Sequence, residues 1–83
     1  MNLYRLEIME EALGQLRVLP GPVRRNIGRR IDLLQASLGG DVKKLSARRD
    51  EYRLRVGCYR ILFTLERDLI RIYAVKQRQD AYE

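Results

Sequence analysis

Histidine and tryptophan are absent from this chain, cysteine occurs once and proline only twice. Without histidine there is no imidazole to move protons near neutral pH, and no histidine-ligated zinc site. The lone Cys58 excludes an internal disulfide and a thiolate metal cluster, which fits a reduced, cytoplasmic setting. No apolar run approaches the roughly 18 residues of a membrane span, and the N-terminus lacks a signal-peptide core. Neither GxxxxGK[ST] nor GxGxxG occurs to cradle a nucleotide. The expectation is a protein without metal, cofactor or membrane.

What the chain has in excess is arginine. Its 83 residues carry 17 cations against 11 acids, a net charge of +6. Fourteen of the cations are arginines, the side chain that grips phosphate through two N–H groups and does not titrate near neutral pH. Hydrophobic residues make up 46%, too many for a disordered chain. The length allows one domain over residues 1–83, with a small and marginal core. A phosphate-rich polymer is the first partner to consider. A merely solvated basic surface is the alternative on charge alone.

Hydrophobic spacing predicts an α+β fold. Tyr4, Leu6 and Ile8 alternate with Arg5 and Glu7, as in a strand with one buried face. Glu10 to Leu19 has helical period, with acids in the first turn, and Pro20-Gly21-Pro22 stops it. Val23, Ile27, Ile31, Leu34 and Leu38 form the stripe of a second helix, opened by Pro22 and closed by Gly39-Gly40. A polar connection over 41–50 follows. The period then becomes two through Tyr52–Val56, Tyr59–Glu66 and Leu69–Val75, a three-stranded antiparallel meander turning at Gly57-Cys58 and Arg67-Asp68. Gly57 suits a two-residue turn, whereas Arg67-Asp68, lacking glycine, suggests a longer one. The expected molecule is a strand, a helical hairpin and the meander, with both helices on one face of the sheet.

Register carries the functional expectation. A two-residue loop at Gly57-Cys58 pairs Val56 with Tyr59, Arg55 with Arg60, Leu54 with Ile61 and Arg53 with Leu62. One face then collects Tyr52, Leu54, Val56, Tyr59, Ile61 and Phe63. The other sets Arg55 against Arg60 with Arg53 alongside, a like-charge pairing that costs up to about 1 kcal/mol. Such a pairing makes sense where a polyanion crosses the face. A charged sheet face that only deters aggregation is the competing reading, and it is preferred for Arg48, Arg49 and Arg71, which at most attract a nucleic-acid backbone loosely. Tyr73 is expected to floor the arginine groove beside Leu62. Cys58 reads as a small turn residue.

The element order and three strings resemble the RelE/ParE toxin superfamily of bacterial and archaeal toxin–antitoxin systems, and its RelE branch most. The strings are Lys43-Lys44-Leu45, then Tyr52 to Phe63 (YRLRVGCYRILF), then Val75 to Tyr82 (VKQRQDAY). The middle one follows the superfamily pattern YRxRxGxYRxxY, with Phe63 at the usual tyrosine. In the RelE branch the resemblance implies a toxin that cuts mRNA on the ribosome as an endoribonuclease and is held by a cognate antitoxin. It places catalytic residues at Arg53, Arg55, Arg60, Arg78 and Tyr82. RNA contacts are expected at Lys43, Lys44, Arg48, Arg49, Tyr73 and Lys76. Relatives often carry lysines where Arg53 and Arg55 stand, and a histidine where Lys76-Gln77 stand. A ParE-type inhibitor of DNA gyrase, and an inactive relative that only binds antitoxin or nucleic acid, remain the alternatives.

Overall fold

The computed structural model describes residues 3–45 and 50–77. Its elements are β1 (Arg5–Ile8), α1 (Glu10–Arg17), α2 (Gly21–Ser37), β2 (Asp41–Lys44), β3 (Glu51–Val56), β4 (Tyr59–Glu66) and β5 (Leu69–Gln77). The five strands make one open, mixed sheet in the order β1-β5-β4-β3-β2. β1 runs parallel to β5, and every other pairing is antiparallel. The α+β expectation is met.

The helical stripe does what its period requires. Ile27, Ile31 and Leu34 of α2 and Ala12 of α1 are buried against Leu54, Val56, Ile61, Phe63, Ile70, Ile72 and Val75 of the sheet. Phe63 is fully buried, and its ring stacks on Tyr52 at 5.5 Å between centroids. The side chains of α2 on the opposite side, including Arg25, Arg29 and Asp32, are exposed.

Four local features depart from the sequence expectations. The 41–50 connection begins with a strand, β2, hidden because Val42 is its one apolar residue. Gly40, at φ +110°, brings the chain into β2 so tightly that a Cβ there would meet Leu54 Cδ1 at 2.9 Å. The C-terminal stop of α2 lies one residue early: Leu38 itself adopts the left-handed conformation, and its N–H donates to the Leu34 carbonyl at 2.7 Å. Arg67-Asp68 closes as a two-residue turn, Glu66 pairing with Leu69, with Arg67 at φ 55°. Left-handed backbone costs a non-glycine residue about 1 kcal/mol. Here the turn is tied on both levels to β1, by the Arg5 N–H donating to the Asp68 carbonyl at 2.7 Å and by the Arg5–Asp68 ion pair at 2.9 Å. That guanidinium also holds the Asp68 carboxyl below its ordinary value.

The fourth departure matters most. Between β4 and β5 the register slips, with Leu62 facing Ala74 but Phe63 facing Ile72. Tyr73 is the extra residue of a bulge, so every side chain of β5 beyond it changes face. Simple alternation puts Ala74 with Ile70 and Ile72; the bulge instead sends Val75 to the core, sets Ala74, still buried, opposite Leu62, and turns Lys76 outward.

Candidate nucleic-acid interface

The side of the sheet away from the helices is built by three hairpin registers. Asp41 on β2 pairs with Arg55 on β3, Arg55 with Arg60 on β4, and Arg60 with Lys76 on β5. The neighbouring row reads Lys43, Arg53, Leu62 and Ala74. Adjacent strands lie about 4.8 Å apart, so Arg55, Arg60 and Lys76 span roughly 10 Å across three strands. Three consecutive cations of the ladder, with no acid between them, share this face.

Gly57, at φ 58°, closes the two-residue turn that sets this register. The Arg55–Arg60 pairing is therefore as the sequence implied. Arg55 is exposed, and Arg60 is half-buried with its Nε beneath the surface. Among the described residues Arg55 and Lys76 make no ion pair or side-chain hydrogen bond. They are held by strands and not by acids.

The remaining candidates divide sharply. The Arg53 side chain is only 14% exposed, and its Nη1 donates to the Asp41 carbonyl at 3.1 Å and lies 3.5 Å from the Asp41 carboxylate. Lys43 is exposed on the arginine side, opposite Arg53. Lys44 points the other way: its Nζ sits 5.8 Å over the Tyr52 ring and 3.9 Å from Asp50, so it does not join the arginines. Arg71 is paired with Glu7 at 2.7 Å, the structural role preferred for it. Arg48, Arg49, Arg78 and Tyr82 lie outside the described residues.

Tyr73 stands at the bulge as a half-buried residue. Burial, and then the nearby Glu51 carboxylate, push its phenol above the ordinary value of 10.0. It stays neutral at physiological pH and is no base there. Among the described residues no group of histidine, cysteine, aspartate or glutamate side chains could hold a metal ion. Among the described residues no helix is long and apolar enough to cross a membrane.

Asp41 lies in the 41–50 connection, where no local pattern in the sequence marks it. Lys76, an expected RNA contact, reaches its place opposite Arg60 through the Tyr73 bulge. Simple alternation cannot place Arg78 with Arg55, which requires the last strand to end or bulge first.

No family model matches the sequence, and no curated protein matches it. Solved structures do. The RelB–RelE antitoxin–toxin complex of Methanococcus jannaschii aligns at 29% identity over 92% of this chain and 94% of that one, with a TM-score of 0.77. The archaeal RelE–RelB complex of Pyrococcus horikoshii OT3 aligns at 28% identity over 92% and 96%, with a TM-score of 0.79. By its structure the chain falls within the RelE-like toxin superfamily. The intact Escherichia coli RelBE complex, at 20% identity, 89% and 95% coverage and a TM-score of 0.74, shares the fold. The RelE-like sheet thus accounts for nearly the whole chain.

Proposed function

We propose that this chain is the toxin of a type II toxin–antitoxin pair and cuts mRNA on the ribosome. The observation that carries the reading is the outward pairing of Arg55 with Arg60, continued by Lys76. A sheet gains nothing in stability from setting like charges opposite each other. A phosphodiester laid across them turns that cost into attraction.

The reaction suited to such a face needs no metal. The 2′-oxygen of one nucleotide attacks the adjacent phosphorus while the bond to the 5′-oxygen breaks. The products are a 2′,3′-cyclic phosphate and a 5′-hydroxyl. Negative charge grows on the non-bridging oxygens, where Arg55 and Arg60 supply fixed N–H donors. Arg53 and Lys43 extend the contact along the backbone, and Lys76 adds a third cation beyond Arg60. Holding attacker and leaving group in line contributes much of the remaining rate. Guanidinium is a poor proton carrier, so we assign proton transfer to Tyr82, on the family resemblance alone.

The antitoxin partner rests on the same structural neighbours, two of which are toxin–antitoxin complexes at 28 and 29% identity. For a domain of charge +6, the fitting partner is an acidic segment that folds across the helices or the arginine face. In a purified translation system the wild type should generate cuts in ribosome-bound mRNA and leave DNA gyrase active. Intact mRNA with gyrase poisoned would overturn the nuclease reading in favour of the ParE-type one.

A further inference from the structure

We infer that Asp41 is a positioning residue for Arg53, and that this carboxylate at the sheet edge orients a phosphate-binding guanidinium. The inference rests on the endonuclease reading and deepens it. Asp41 is an unexpected neighbour for a phosphate site, because an acid beside a basic face weakens attraction for a polyanion. Its ladder partner is Arg55, yet its backbone carbonyl accepts from Nη1 of Arg53, two residue pairs further along, and its carboxylate lies 3.5 Å from the same nitrogen. Both contacts fall on one nitrogen, so they anchor that end of the guanidinium beside the edge strand.

Surface ion pairs are usually worth little, and the Asp41 side chain is 58% exposed, but its arginine partner is not free in solvent. The Arg53 side chain is 14% exposed, so its stem is packed and its head has few alternative rotamers. Nη1 is committed to Asp41. Among the described residues the side-chain contacts of Arg53 are all at Nη1, which leaves Nε and Nη2 to donate to an anion. An arginine prepared this way needs no reorganisation when charge builds on the phosphate. Gly40 belongs to the same device, since its φ of +110° and its close approach to Leu54 bring Asp41 into the edge strand.

The test is a kinetic cycle on mRNA-programmed ribosomes with wild type, Asp41→Asn, Arg53→Ala and the double variant, alongside binding of a single-stranded RNA. Asp41→Asn should lower kcat about ten- to a hundred-fold, the scale of misplacing a catalytic group by up to an ångström. KM and the RNA dissociation constant should stay level or fall, because a negative charge has left the basic face. Asp41→Glu should recover part of the rate, and Asp41→Asn should change nothing further in the Arg53→Ala background. Wild-type kcat in Asp41→Asn with tighter RNA binding would show that Asp41 only screens charge, and would overturn the inference. An equal loss in the Arg53→Ala background would overturn it too. A wild type that cuts no mRNA would instead remove the endonuclease reading, and this inference with it.

Discussion

At the scale of single residues, the cost and the use of the arginine face are separable. Arg55 and Arg60 are cross-strand neighbours in a well-ordered ladder. Replacing Arg55 by Thr removes the repulsion and adds a β-branched side chain suited to the sheet. We expect it to raise unfolding free energy by up to about 1 kcal/mol in urea titrations while cleavage is lost. A destabilised fold accompanying the lost activity would mean that Arg55 is structural. Tyr73 gives a second residue-level outcome. Its folded pKa lies above the unfolded value near 10.0, so the neutral phenol contributes stability in full below that pH. The contribution is lost as pH rises past 10 through the folded pKa. In an ultraviolet titration one tyrosine should ionise later than the rest, and Tyr73→Phe should abolish that late step. The Arg55–Arg60 pair was legible in the sequence because a glycine turn and two alternating runs fix a register. Asp41 was not, because no spacing rule predicts a diagonal contact from an edge strand.

At the scale of elements, β5 is the piece on which the site depends. Its first half pairs with β1 as well as β4, while residues beyond Ile72 have no strand on the β1 side. There α1 takes over: the backbone N–H of buried Val75 donates to the Gln15 side-chain oxygen at 2.6 Å. Gln15 thus closes the sheet edge just past the bulge, next to Lys76. Gln15→Leu should strand that N–H and cost about 1–3 kcal/mol. Amide exchange at Val75 should accelerate, with Ile61 and Phe63 amides slowed as before; unchanged protection at Val75 would show that Gln15 does not hold the edge. The helices and three meander strands were readable from period alone, since their apolar residues recur at three to four or at two. β2 was not, because a strand with one apolar residue shows no period. An end or a bulge in the last strand was legible from the mismatch of Arg78 with Arg55, but its place at Tyr73 shows only against the partner strand.

At the scale of the whole molecule, a chain of 83 residues with a core one helix layer deep is expected to be marginal in stability. Phe63, Ile61 and Ile72 are fully buried, so truncating any of them spends most of the available stability. A partner that binds only the folded form should therefore act strongly. At a hundred times its dissociation constant such a partner adds about 2.7 kcal/mol. For a domain of this size that corresponds to a rise in Tm of roughly 10–20 °C. An acidic antitoxin segment should give that shift, and should lose much of it in high salt if it lies on the arginine face. The central claim is that phosphates of an RNA lie across Arg55 and Arg60 and are cut there. Its most direct measurement is the chemistry of mRNA ends left on translating ribosomes by the wild type and by an Arg55→Ala/Arg60→Ala variant. The expected result is 2′,3′-cyclic phosphate ends with the wild type and none with the folded double variant. Equal yields of those ends from both proteins would contradict the account.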